Sequence, residues 1–251
     1  MEDNPLRAYF ENNPGRIIDK WTHYFDVYHS HFRGLRGKPV RILEIGVAQG
    51  GSLQMWRNYF GPESVVYGVD LNPACKSLEE DGIRIRIGSQ SDRRFLASLR
   101  EEIGELDVVI DDGGHHVREQ ITTFEELFPI VRPGGVYLCE DCQTSYRLDY
   151  GGGVRRPGTF VEFAKGLVDR LHAWHSEQPA LRVDEFTRTA RSVHFYDGIV
   201  LVRKEAVSPP TSRKTGVRSL APVAVRPRTG AGLLLGLNRV LRALGVRSVG
   251  I

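Results

Sequence analysis

The feature that most constrains this fold is a repeated alternation of short apolar runs with longer amphipathic stretches. Apolar runs occupy 41–45, 65–69, 83–87, 106–110 and 135–139. Helical periodicity fills the intervals near 52–60, 74–80, 92–102 and 117–130, and returns at 158–175. Strands separated by helices must cross over and run the same way, so a parallel sheet with right-handed connections is expected. Pro133-Gly134-Gly135 reads as the turn that starts the fifth strand.

Beyond 175 the pattern changes. Residues 181–187, 191–196 and 199–203 read as short strands, with Asp197-Gly198 a tight hairpin turn between the last two. Five parallel strands followed by an antiparallel hairpin resemble the class I methyltransferases. The fold class implied is α/β: a Rossmann-like sandwich on a mostly parallel seven-stranded sheet. Three parts are expected: an N-terminal helical cap or lid over 1–39, a catalytic, S-adenosylmethionine-binding domain over 40–205, and a basic tail over 206–251. Within 15–36, Trp21, Tyr24, Phe25, Tyr28 and Phe32 recur at helical steps. They suit a helix packed on the sheet, or a lid in which Tyr24 and Tyr28 face a substrate.

Charge divides the chain. The net formal charge is +3, yet from Val207 onward there are eight basic residues and no acid, leaving a body with 26 basic against 31 acidic residues. A net-acidic body is not an electrostatic nucleic-acid binder. The Pro-, Ser- and Arg-rich stretch 206–230 is expected to be disordered. It leads to a short basic amphipathic helix over 231–245, suited to docking on the body, a partner or a membrane surface. No run reaches the roughly 20 apolar residues of a membrane span. Three cysteines and a polar start suggest a cytoplasmic protein, and a homo-oligomer is expected.

The first apolar run leads into Leu43-Glu44-Ile45-Gly46-Val47-Ala48-Gln49-Gly50-Gly51-Ser52. Small residues there let a ligand approach the backbone beyond a strand end. The spacing is not the G-x-G-x-x-G of a pyrophosphate loop. It resembles the first motif of S-adenosylmethionine-dependent methyltransferases, which implies cofactor contacts from Glu44, Gly46, Gly50 and Ser52. Asp70 ends the second run, where a carboxylate can accept from both ribose hydroxyls. Gln90 and Asp92 follow the third, where the resemblance implies adenine contacts and where a helix N-cap is the alternative.

Two acidic doublets end the fourth and fifth runs: Asp111-Asp112, followed by Gly113-Gly114-His115-His116, and Glu140-Asp141. Neighbouring strands would bring them together, and oxygen ligands favour Mg²⁺, with Mn²⁺ or Ca²⁺ also suitable. Successive strand residues point to opposite faces, so all four need not meet one ion. His115 is placed to act as a base on a hydroxyl held there. Cys139 and Cys142 match a C-x-x-C spacing, but no second pair exists for zinc.

Asp19-Lys20-Trp21, Met55-Trp56, Asp111-Asp112-Gly113-Gly114-His115, Glu140-Asp141, Thr144-Ser145-Tyr146 and Tyr150-Gly151-Gly152 complete the pattern. With them the chain resembles the metal-dependent sugar O-methyltransferases of the macrocin and mycinamicin type, in their shorter single-domain form. The resemblance implies Mg²⁺ on Asp112, Glu140 and Asp141, His115 as base, and Asp111 on the cofactor side. It implies a sugar-containing acceptor, with Gln143 and Tyr146 near it. Gln143 stands where that family often has histidine, which bears on the acceptor pocket. Three alternatives share the scaffold: a cephalosporin-hydroxylase-like enzyme, a small-phenol O-methyltransferase and a non-catalytic cofactor-binding partner protein.

Overall fold

A computed structural model of the chain describes residues 4–220, 236–241 and 244. Strands β1 (Arg41–Ile45), β2 (Val65–Asp70), β3 (Ile83–Ile87), β4 (Leu106–Asp111), β5 (Val131–Cys139), β6 (Ala190–Phe195) and β7 (Val200–Lys204) form one sheet in the order β3-β2-β1-β4-β5-β7-β6. The first five are parallel, and β7 runs antiparallel to both β5 and β6. This is the mostly parallel seven-stranded sheet with an antiparallel hairpin expected from the sequence. The order reverses at β1, whose neighbours β2 and β4 lead in opposite directions. Such a switch point opens a crevice beyond the strand C-termini.

The two-residue strand period explains both layers. Ile42, Val108, Ile110, Val136 and Leu138 join one core cluster with Tyr28, Phe32, Trp56 and Phe60. Those aromatics come from α2 (Tyr24–Phe32) and α3 (Gly51–Phe60). Leu43, Ile45, Val109, Tyr137 and Cys139 face the other cluster with Leu96, Phe124 and Phe160. Those three come from α4 (Arg93–Ile103), α5 (Val117–Leu127) and α6 (Phe160–Leu171).

Four expectations are corrected. The helix expected over 15–36 begins only at Tyr24, because residues 13–20 are held by side chains and by α3. Asn13 Nδ2 donates to the Arg16 carbonyl at 2.7 Å, and the Arg16 amide donates to Gln54 Oε1 at 3.0 Å. The 74–80 stretch forms a 3₁₀ helix over Pro73–Leu78. Pro133-Gly134-Gly135 does not precede β5 but lies within it, at a bulge where the pairing with β4 shifts register. The strand expected at 181–187 is a loop followed by the short helix α7 (Glu185–Thr189). Asp184 and Thr187 form a reciprocal capping box there, a motif that contributes about 1 kcal/mol to a helix start.

Residues 236–241 are helical and 244 lies in a turn; 231–235, 242–243 and 245 of the expected tail helix lie outside the described residues, as do 221–230 of the stretch expected to be disordered. Among the described residues no helix is long and apolar enough to cross a membrane. Cys75, Cys139 and Cys142 are free and buried.

On the hairpin side, His31 of α2 meets Tyr196 Oη at 2.8 Å and the His194 ring at 4.9 Å. Burial, then His194 and Arg203, push the His31 pKa down to about 4. The unfolded chain therefore takes up the proton first as pH falls below about 6.5. The contribution of neutral His31 is whole above that pH and is lost as pH falls toward 4. His31→Gln keeps the bond to Tyr196 and removes this titration. After discounting for solvent screening, about 1–2 kcal/mol less stability should be lost between pH ~7.5 and ~4.5. Urea midpoints of both proteins at the two pH values measure it, and identical losses would contradict the assignment.

Candidate functional site

The crevice at the switch point is a cavity of about 550 Å³. Its walls include Gly46, Gly51, Ser52, Asp70, Gln90 and Asp112. Gly46 has φ +95°, and a Cβ on it would lie 2.0 Å from the Asp112 carbonyl oxygen. Gly51 begins α3, and its Cβ would lie 2.4 Å from the carbonyl oxygens of Arg16 and Ile17. The loop thus stays narrow because the backbone of 16–17 crosses it on one side and that of 112 on the other. Asp70 is half-exposed at the wall. Its Oδ2 accepts from the Val47 and Ala48 amides at 2.9 and 3.1 Å, and its Oδ1 from the Asn72 amide at 2.8 Å.

Other expected cofactor residues serve the frame. Glu44 is fully buried, with Ser52 Oγ donating to it at 2.7 Å. Gly50 has φ +76° and supplies the left-handed entry to α3. Asp92 is away from the cavity wall and caps α4, accepting from the amides of Arg94 and Phe95. Gln90 reaches the wall, but its amide is spent. It donates to Asp111 Oδ1 at 3.0 Å and to Thr123 Oγ1 at 3.1 Å, and accepts from the Gly114 amide at 2.8 Å. Asp111 points to the α4–α5 side, where Tyr137 Oη also donates to it at 3.3 Å. Burial pushes its pKa up to about 7.

Asp112, one residue on, points the other way. Asp112, His115 and Asp141 each offer a ligand atom within 4.8 Å of the others. His115 Nε2 stands 3.8 Å from Asp112 Oδ1 and 3.5 Å from Asp141 Oδ2. His115 (φ +57°) and Asp141 (φ +52°) are both left-handed, a conformation uncommon outside glycine. Those two bends turn the strand-end side chains toward each other. Glu140, expected as a third ligand, is not part of this trio and shares the Lys20 ammonium with Asp112 instead. It is 1% exposed, and both its oxygens accept from Lys20 Nζ, at 3.2 and 3.0 Å.

Lys20 is the functional residue that sequence reasoning left without a role. Its ammonium also donates to Glu44 at 3.1 Å and to Asp112 Oδ2. Burial opposes its charge, but Asp112, Glu140 and Glu44 outweigh it and hold its pKa well above the ordinary lysine value. Burial, with Asp112 beside it, pushes the Glu140 pKa up. The available signal was arithmetic: buried acids at two strand ends need a cation, and Lys20 sits in the Asp19-Lys20-Trp21 motif.

The expected substrate residues divide. Tyr24 and Tyr28 are 1% and 0% exposed and belong to the core beneath the site, not to an open wall. Tyr24 Oη donates to Asp141 Oδ1 at 2.8 Å, and Gln143 Nε2 donates to the same oxygen at 3.0 Å. Tyr146 is exposed at the end of the 3₁₀ turn that follows Asp141.

Comparison with known proteins agrees with the fold. Residues 43–142 match a family described as a methyltransferase domain. The chain is 45% identical over 177 residues to the 8-demethyl-8-(2-methoxy-alpha-L-rhamnosyl)-tetracenomycin-C 3'-O-methyltransferase of Streptomyces olivaceus, covering 64% of this chain and 45% of that one. It is 37% identical over 201 residues to the mycinamicin VI 2''-O-methyltransferase of Micromonospora griseorubida, covering 73% and 49%. A solved MycE methyltransferase from the mycinamycin biosynthetic pathway, in complex with Mg and SAH, superposes with a TM-score of 0.71 at 33% identity, covering 81% of this chain and 54% of that one. The chain spans about half the length of these curated relatives.

Proposed function

We propose that this chain, whose residues 43–142 belong to the methyltransferase-domain family on a class I sheet, is a Mg²⁺-dependent O-methyltransferase acting on a sugar hydroxyl of a glycosylated natural product. The observation that carries the reading is the junction of two half-sites at Asp112. Its residue lines the cavity at the switch point, and its carboxylate faces Asp141 and His115. A methyl donor and an acceptor hydroxyl would meet there. Relatives named as sugar O-methyltransferases, and the Mg and SAH in the MycE complex, support the same assignment.

The residues fit both groups. A cavity of about 550 Å³ walled by a narrow glycine loop suits S-adenosylmethionine, with Asp70 at the ribose position. Asp112 and Asp141 present half-exposed carboxylate oxygens to one point. Mg²⁺ commonly takes one or two carboxylates and completes its shell with water and substrate oxygens. When bound, the ion lowers the pKa of a chelated hydroxyl and fixes its direction.

His115 then has one task, to take the hydroxyl proton on Nε2 as the oxygen attacks the sulfonium methyl. The new carbon–oxygen bond replaces the carbon–sulfur bond, and the demethylated cofactor leaves neutral at sulfur. Lys20 donates to both Asp112 and Glu140 and so offsets part of the repulsion between them. With both bound, the loop and strand ends would hold donor and acceptor near each other, an effect that can supply roughly 7–11 kcal/mol of the barrier.

The test is a mass-spectrometric screen of glycosides, oligosaccharides and phenols with S-adenosylmethionine. A sugar product heavier by about 14 Da that vanishes with EDTA and returns with Mg²⁺ is expected. An increment of about 16 Da would indicate the hydroxylase alternative. A methylated phenol, or full turnover by metal-stripped protein, would overturn the corresponding part of the reading. Three buried free thiols suit a reducing, cytoplasmic setting.

A further inference from the structure

The two carboxylates proposed to hold the metal are each gripped from outside by one residue of the same N-terminal segment. Lys20 Nζ takes Asp112 Oδ2, and Tyr24 Oη takes Asp141 Oδ1. The oxygens left over, Asp112 Oδ1 and Asp141 Oδ2, are the ones that face His115 Nε2 at 3.8 and 3.5 Å. We propose that Tyr24, seconded by Gln143, is a positioning residue that holds the Asp141 carboxylate so that Oδ2 is turned to the metal and acceptor.

Asp141 needs such a grip. It sits in a left-handed bend between β5 and a 3₁₀ turn, so its direction is not set by the strand pleat. Its backbone carbonyl is held by the Thr144 amide at 3.0 Å and Thr144 Oγ1 at 2.8 Å, which fixes the bend but not the carboxylate rotation. Tyr24 and Gln143 supply the two donors that fix it. Tyr24 is itself fixed: it is buried at the start of α2, and the hairpin turn closes behind it. A Cβ on Gly198 would lie 2.1 Å from Tyr24 Oη and 2.9 Å from Gln143 Oε1. The Cys142 amide donates to the Gly198 carbonyl at 2.9 Å, tying that turn to the same loop. Gln143 thereby belongs to the support of Asp141.

The inference rests on the metal reading, so its test separates the two. Mn²⁺ binding to the full chain is measured by water-proton relaxation, and S-adenosylhomocysteine binding by calorimetry. Tyr24→Phe keeps the buried ring and removes the donor. It should weaken Mn²⁺ binding roughly 10–100-fold, the usual range for partners that orient metal ligands, with S-adenosylhomocysteine affinity within about twofold. Gln143→Leu, which leaves the core ring untouched, should weaken Mn²⁺ in the same direction. Unchanged Mn²⁺ affinity in both variants, with Asp141→Asn abolishing it, overturns the positioning role and leaves the metal site standing. Absence of Mn²⁺ binding by the unaltered chain overturns both. Equal loss of Mn²⁺ and S-adenosylhomocysteine binding in both variants also overturns the proposal, because a general loss of structure would then account for it.

Discussion

Lys20→Met is expected to cost about 3–5 kcal/mol of folding stability, because it removes one partner of a buried ionic cluster and leaves the others uncompensated. The lysine side chain is 2% exposed, and the carboxylates of Glu44 and Glu140 are 0% and 1% exposed. Methionine fills a similar volume but offers no charge and no donor. Glu44 would keep its bond from Ser52, whereas Glu140 would lose both oxygen contacts that Lys20 supplies. Adding Glu44→Gln removes one of the stranded charges, so the double variant should regain part of the loss, with a coupling of about 1–3 kcal/mol. Urea unfolding of the four proteins measures the cycle. A loss below about 1 kcal/mol for Lys20→Met would mean that water, not Lys20, compensates these acids.

Much of this frame is legible in the order of residues. Strands β1 to β4 begin where their apolar runs begin; β1, β2 and β4 are covered on both faces and need such a run whatever their partners, whereas the edge strand β3 alternates Ile83 and Ile85 with Arg84 and Arg86. The errors fall where distant contacts overrule local pattern. Residues 181–187 alternate like a strand, yet Asp184 and Thr187 cap a helix. Helical aromatic spacing runs through 15–36, yet the helix starts only at Tyr24, and Lys20 before it is drawn toward acids that lie 24, 92 and 120 positions away. The site shows the same division. Strand-end logic brings Asp112, Asp141 and His115 together without any side-chain information. It does not reveal which oxygen of each carboxylate faces inward. That depends on the left-handed bends at His115 and Asp141, and on donors from Lys20 and from Tyr24 at the start of α2. The pleat correctly separates Asp111 from Asp112; it has no bearing on Glu140, which lies past the end of β5 and follows Lys20.

His115→Asn is expected to lower kcat roughly 10²–10⁴-fold, the range for removing a positioned general base. Asparagine is chosen because it tolerates the left-handed backbone at φ +57° and keeps a polar side chain, but cannot accept the proton. The backbone contact would persist, since Thr144 Oγ1 donates to the His115 carbonyl, not to its ring. Cofactor affinity should be unchanged, because the cavity walls do not include His115. Mn²⁺ affinity separates base from ligand. If His115 serves as base, its loss leaves Asp112 and Asp141 to hold the ion, and affinity falls by no more than a few-fold. A large fall in metal affinity together with the rate would instead make the imidazole a ligand, and another group would have to take the proton. A rate within threefold of the unaltered protein, measured at saturating acceptor, S-adenosylmethionine and Mg²⁺, would exclude His115 from proton transfer altogether. The ring nitrogen that matters is Nε2, which stands 3.8 Å from Asp112 Oδ1 and 3.5 Å from Asp141 Oδ2.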